Sequence, residues 1–113
     1  MRSGFERTLA NQMKMAKVEF QYETLPIQYT LDGTYWPDFI LPNGVIIEAK
    51  GLLDRDSKRK MVAVKKQHPE LDIRFCFMMA NKKIPGSKTT HAQWAERNGF
   101  PWSDGKIPEE WFE

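Results

Sequence analysis

Apolar residues recur at helical spacing near the start of the chain, where Phe5, Leu9, Met13 and Ala16 share one face. This pattern predicts a helix over residues 3–17, with Ser3 as N-cap and Glu6, three residues on, completing a capping box. The period then changes. "VEFQYE", residues 18–23, alternates as a strand does, and "IQYTL" and "TYWPDFIL" flank Asp32-Gly33, a two-residue hairpin signal. "VIIEA" is a β-branched run between "PNG" and Gly51. A basic helix is predicted over about residues 56–67, with Met61, Val62 and Val64 as its apolar contacts and Pro69 as its stop. Residues 73–79, "IRFCFMM", read as the last strand, and "KKIPGSK" as a loop. Residues 89–99 read as a short helix ended by Asn98-Gly99, and Pro108 opens a final turn holding Trp111. The order helix, three or four strands, helix, strand, helix predicts an α/β fold. No repeat, low-complexity segment or linker divides the chain, so one domain over 1–113 is expected.

Within this pattern, "WPDFILPNGVIIEAK" places charged residues where a buried hairpin is expected. Pro42-Asn43-Gly44 resembles a three-residue loop, with Pro presetting the first turn position and Gly tolerating the left-handed one. In that register Leu41 faces Val45, Ile40 faces Ile46, Phe39 faces Ile47 and Asp38 faces Glu48. Strand period two puts Lys50 on the same face as Glu48. Opposed like charges destabilise a sheet by a few tenths to about 1 kcal/mol, more where water is excluded. A structural ion pair with Lys50 is one explanation. With Asn43-Gly44 alone as the loop, Asp38 would instead face Ala49 and the carboxylates would part; Pro42, which would then sit in the ladder, argues against that register. Chemistry is the other explanation. Mg²⁺ is held by one or two carboxylates, waters and substrate phosphate. A dication at Asp38 and Glu48, with the Ala49 carbonyl as a further ligand, cancels the repulsion and activates a water. Lys50 then orients that water or stabilises developing negative charge.

Composition adds constraints. The 41% hydrophobic content supports one modest core. Cys76 is the single cysteine, so no internal disulfide forms and nothing points to secretion. No apolar run reaches membrane-helix length, and the polar, periodic N-terminus is unlike a signal peptide. A reducing, cytoplasmic setting without membrane contact is expected. Net charge is only +2, but residues 49–66 hold seven cations against two carboxylates, and the remainder is acidic by difference. Such asymmetry suits a polyanion such as a nucleic-acid backbone, although a solvated helix face produces the same pattern.

Asp38, then Glu48-Ala49-Lys50 after a turn, resembles the PD-(D/E)xK nuclease signature, a short motif of low specificity by itself. "RSGFE", "YWPDFILPNGVIIEAKGL", "QHPELDIRF" and "IPEEW" extend the likeness in order from Arg2 to about Trp111. Together they resemble the phage endonuclease I family, the junction-resolving enzymes of T-odd phages. The resemblance implies a restriction-endonuclease-like core, a mixed sheet of about four to five strands flanked by helices, in a single nuclease domain. It implies a metal-dependent endodeoxyribonuclease that cleaves branched DNA, chiefly four-way (Holliday) junctions, leaving 5′-phosphates. Asp38 and Glu48 would bind Mg²⁺ or Mn²⁺, Lys50 would serve the attacking water, and Glu6 would act as a catalytic acid on the first helix supporting a second metal. No small-molecule cofactor is implied. The family forms intertwined homodimers whose sites draw on two chains, and its members are phage-encoded and act in the bacterial host. The sequence departs from the family in two ways. The segment before Asp38 is shorter and contains Asp32-Gly33, able to close a hairpin within one chain, which leaves open whether Glu6 acts in its own chain. The basic tails of the family are also absent at both ends, which leaves open a weaker affinity or another target.

The basic segment after Lys50 offers Arg55, Lys58, Arg59, Lys65 and Lys66 to phosphates beside the scissile bond, and Arg2 and Ser3 of "RSGFE" join this DNA-contacting set. His68 and His91 match no metal-ligand spacing and read as structural. Cys76, opposite in facing to Phe75 and Phe77, reads as packing. Tyr35 and Trp36 stand before Asp38 as groove or core residues, and Trp94, Trp102 and Trp111 as core or lid anchors. Alternatives to a junction nuclease are a nicking enzyme for ordinary or mismatched duplex with the same site, and a non-catalytic DNA-binding module with a structural ion cluster.

Overall fold

A computed structural model of the chain describes residues 3–29 and 33–113. Its elements are α1 (Gly4–Met15), β1 (Gln21–Tyr22), β2 (Ile27–Tyr29), β3 (Gly33–Tyr35), β4 (Phe39–Ile40), β5 (Ile46–Lys50), α2 (Arg55–Gln67), β6 (Ile73–Phe77), α3 (His91–Arg97), β7 (Trp102–Asp104) and a closing 3₁₀ turn, Glu109–Phe112. The main sheet has five strands in the order β1-β4-β5-β6-β7, and β2 and β3 form a separate two-stranded sheet. β4 runs antiparallel to both of its neighbours, β1 and β5, whereas β5, β6 and β7 run parallel. Parallel neighbours need crossovers, and α2 and α3 supply them. The fold is therefore α/β with a mixed sheet and flanking helices, as the sequence predicts.

The turn between β4 and β5 sets the register. Phe39 pairs with Ile47 and Ile40 with Ile46. Outside them, the Leu41 amide donates to the Val45 carbonyl at 2.8 Å and the Gly44 amide to the Leu41 carbonyl at 2.9 Å. Gly44 sits at φ +89°, the left-handed position expected of it. Asn43 accepts from the Val45 amide at 3.0 Å and donates to the Trp111 and Glu113 carbonyls, so the turn also fastens the C-terminal segment.

Alternation along the strands separates two cores. Ile46, Ile73, Phe75 and Phe77 face one way and pack with Met61 and Val64 of α2, Trp94 and Ala95 of α3, and Ile27 and Tyr35 of the small sheet. Ile47, Cys76 and Phe39 face the other way and meet Leu9, Ala10 and Met13 of α1, with Ile107 and Trp111. Period two carries Asp38, Glu48 and Lys50 onto the first face, beside Ile40 and Ile46.

Several expected boundaries move. The strand over 18–23 shortens to β1 because Lys17 and Glu23 take left-handed backbone, at φ +58° and +50°. "TYWPDFIL" breaks at Trp36-Pro37 and feeds two different sheets, because a proline cannot donate to a ladder. β2 and β3 pair antiparallel within one chain, with Tyr29 opposite Gly33, so Gly33 stands in the ladder and not at the tip of a two-residue Asp32-Gly33 turn. Asp32 lies outside the described residues. The strand over 73–79 ends at Phe77. β7 has no counterpart in the sequence reading. Ser3 caps α1 by accepting from the Glu6 amide, one half of the predicted capping box, and the Glu6 carboxylate accepts from the Ser3 and Tyr22 hydroxyls. The full box belongs to α3, between Thr90 and Gln93. Among the described residues, no helix is long and apolar enough to cross a membrane.

Candidate active site

Asp38 and Glu48 meet as the hairpin register requires. Both carboxyls line one cavity, and the Ala49 amide donates to Asp38 Oδ2 at 2.9 Å. Glu48 is buried, and the Tyr35 hydroxyl donates to its Oε2 at 2.6 Å. Burial, then the negative charge of Glu48, pushes the Asp38 carboxyl up to about 8; the Ala49 hydrogen bond and Lys50 oppose this, while Glu6 adds to it. Burial also raises Glu48, opposed by the Tyr35 hydrogen bond and by Lys50 and Lys60. Burial and the same carboxylate hold the Tyr35 hydroxyl well above its usual value, so it remains a donor. Two acids this close hold a proton in common when no cation balances them.

Two further acids complete the cluster. Glu6, on the first turn of α1, is buried and accepts from the Tyr22 hydroxyl at 2.9 Å and the Ser3 hydroxyl at 3.2 Å. Glu23 follows β1 in a left-handed conformation, at φ +50°, which costs a non-glycine residue backbone energy. Its amide donates to the Asp38 carbonyl at 3.3 Å. One carboxylate oxygen each from Glu6, Glu23 and Asp38 lies within 4.8 Å of the others. Glu23 was not foreseen as a site residue; the only sequence signal was an acid at the end of a strand leading toward Asp38.

A polar cavity of about 240 Å³ brings these groups together with cations. Glu6, Glu23, Thr34, Trp36, Asp38, Glu48, Ala49, Lys50 and Lys60 line it. Lys60 is a second unforeseen member: it stood among seven cations with nothing to single it out. It reaches inward from α2, and its Nζ sits 5.9 Å above the centre of the Tyr35 ring. Tyr35 and Trp36 part company, the first fully buried in the core and the second half-exposed on the cavity wall.

The predicted DNA-contacting residues divide. Arg55, Arg59 and Lys66 are exposed on α2, and Lys58 is half-buried. Lys65 is engaged within the fold, donating to the Gly99 carbonyl at 3.2 Å and lying 4.9 Å above the Phe100 ring. The Ser3 hydroxyl is committed to Glu6, and Arg2 lies outside the described residues. Both histidines are structural. His91 is buried, with Nε2 accepting from the Leu53 amide at 3.0 Å and Nδ1 donating to the Lys82 carbonyl at 2.7 Å, which fixes its neutral tautomer. His68 joins the end of α2 to the Gln28 carbonyl at 2.7 Å. Cys76 is buried in the α1-side core, and burial pushes its thiol up to about 11, as an inert packing residue requires. Trp94 and Trp111 are core residues; Trp102 is half-buried and donates to Glu96 at 3.1 Å.

The chain matches the family model "Phage endonuclease I" over residues 1–113. Endonuclease I of Escherichia phage T7 is 39% identical over 114 residues, covering 97% of this chain and 76% of that protein. Endodeoxyribonuclease 1 of Enterobacteria phage T3 is 41% identical over 111 residues, covering 95% of this chain and 73% of that protein. A match along all of its residues, with an acidic cavity built on the hairpin its sequence predicts, makes this chain a member of the phage endonuclease I family.

Proposed function

We propose that the protein is a divalent-metal-dependent endodeoxyribonuclease acting on branched DNA, chiefly four-way junctions. Membership of an endonuclease family supports the nuclease class. One observation carries the metal-dependent chemistry: Glu6, Glu23, Asp38 and Glu48 converge on one cavity with Lys50 and Lys60. The donor set fits a hard dication such as Mg²⁺ or Mn²⁺, since it is all oxygen. The raised Asp38 carboxyl supports the same fit, because it marks a site short of positive charge. Glu6, Glu23 and Asp38 would hold the ion, with Glu48 and the Ala49 carbonyl as further donors and Glu6 available to a second ion. When bound, it would neutralise the cluster and acidify a water.

The chain's own groups do the rest. Tyr35 fixes one oxygen of Glu48, leaving the other to face the cavity. The Ala49 amide fixes Asp38 in the same way. Lys50 orients the attacking water and stabilises charge developing on the phosphate. Water attacks phosphorus in line, the 3′ oxygen departs, and the product keeps a 5′-phosphate. Arg55, Lys58, Arg59 and Lys66 hold flanking phosphates, contacts that position DNA without reading its sequence. Glu6 lies beside Glu23 and Asp38 of its own copy, which supports a site assembled within one chain. A homodimer would bring two such sites to the two strands that a junction must have cut.

Cleavage rates on a labelled four-way junction and on its linear arms, in Mg²⁺, test the substrate. The junction is expected to be cut faster, with 5′-phosphate ends. Equal rates would replace junction selectivity with general duplex nicking.

A further inference from the structure

We propose that Trp36 is a base-stacking residue that binds the exposed face of an unstacked nucleobase at a DNA branch point. The proposal rests on the reading of the acidic cavity as a DNA-cleaving site. Trp36 is 47% exposed although it lines that cavity with the carboxylates and lysines. β3 ends one residue earlier at Tyr35, which is fully buried and hydrogen-bonded to Glu48. Pro37 follows, and a residue before proline is confined to extended backbone. The indole is thus carried outward on a short, constrained link between the site's anchor, Tyr35, and its acid, Asp38.

Two other exposed side chains stand at the same sequence distance from a cavity residue. Leu25 and Leu52 are 49% and 51% exposed. Leu25 stands two residues after Glu23, Leu52 two after Lys50, and Trp36 two before Asp38. Each segment that delivers one of these ionisable groups to the cavity therefore carries a large exposed apolar side chain two positions away. The other tryptophans are spent inside the fold: Trp94 and Trp111 are buried, and Trp102 is half-buried and bonded to Glu96.

Phosphates account for the lysines but not for the indole. Intact duplex hides its base faces within the stack, whereas a branch point, nick or gap exposes them. An aromatic plane recognises such a face whatever the base, because every base has a π surface. Trp36 therefore adds selectivity for interrupted stacking and none for sequence.

The test is binding in EDTA, where no cleavage confuses it, of wild type, Trp36→Ala and Trp36→Phe to a four-way junction and to its linear arms. 2-Aminopurine is placed in turn at each position beside the branch. Trp36→Ala is expected to weaken junction binding by about tenfold or more while linear-arm binding stays within about twofold, and Trp36→Phe to keep most of the affinity. One aminopurine position should be quenched by wild type and not by Trp36→Ala. Equal loss on both DNAs, no loss on either, or no aminopurine signal that depends on residue 36 would overturn the proposal. So would sedimentation showing that Trp36→Ala changes the subunit number, because the indole would then belong to a contact between copies. Cleavage by Glu48→Ala keeps the two ideas apart. Normal turnover there defeats the parent reading, whereas an inactive Glu48→Ala beside an unaltered Trp36→Ala defeats only the stacking.

Discussion

The Asp38 carboxyl, pushed up to about 8 against an unfolded value of 3.8, makes the metal-free protein sensitive to pH. Between those values the folded state holds a proton that the unfolded state has lost. The contribution of this group to stability is therefore fully present below about pH 4 and is lost as pH rises to about 8. Burial of Glu48 acts in the same direction. Melting in EDTA at both ends of this window should show the decline, and Asp38→Asn should make it shallower. An unchanged pH dependence in Asp38→Asn would contradict the assignment. The Tyr35 hydroxyl leads to a second expectation. Tyr35→Phe leaves the ring packed but frees Glu48, so calorimetric Mn²⁺ affinity should fall by about 10- to 100-fold. An affinity equal to wild type would mean that Glu48 needs no such support. Lys60 was not legible in the sequence, since one lysine among seven cations has no distinguishing neighbour, and Tyr35 was legible only as a groove or core residue, with nothing to mark its hydrogen bond to Glu48.

The β4–β5 hairpin is the element on which the site depends, and it was the most legible part of the chain. Pro42-Asn43-Gly44 fixes the loop, the loop fixes the register, and the register brings Asp38 to Glu48. α1, α2 and α3 were legible for a similar reason: apolar period and end signals agree. β7 was not, because Trp102-Ser103-Asp104 has no strand pattern of its own and becomes a strand only by pairing with β6. The left-handed turn at Glu23 was hidden by the alternation of the residues before it. Gly44→Ala should therefore be informative. At φ +89° a Cβ is strained but meets no neighbour, so the expected loss is about 1–2 kcal/mol, read as a lower urea midpoint at unchanged slope. A midpoint equal to wild type would show that the turn tolerates ordinary backbone.

At the scale of the molecule, charge is divided between an acidic cavity and a basic helix that begins five residues after Lys50. If α2 holds phosphates, junction affinity in EDTA should fall steeply with salt. Replacing both Arg55 and Arg59 by Ala should flatten the log–log slope by about 2, since each phosphate contact contributes close to one. A slope unchanged by both substitutions would move the DNA away from α2. The chemistry of the cavity itself is decided by cleavage of a labelled four-way junction by wild type, Glu48→Ala and Lys50→Ala, with Mg²⁺ and with EDTA. Cutting is expected of wild type in Mg²⁺ alone, with both variants binding the junction but leaving it intact. Cutting in EDTA, or normal turnover by Glu48→Ala, would contradict it.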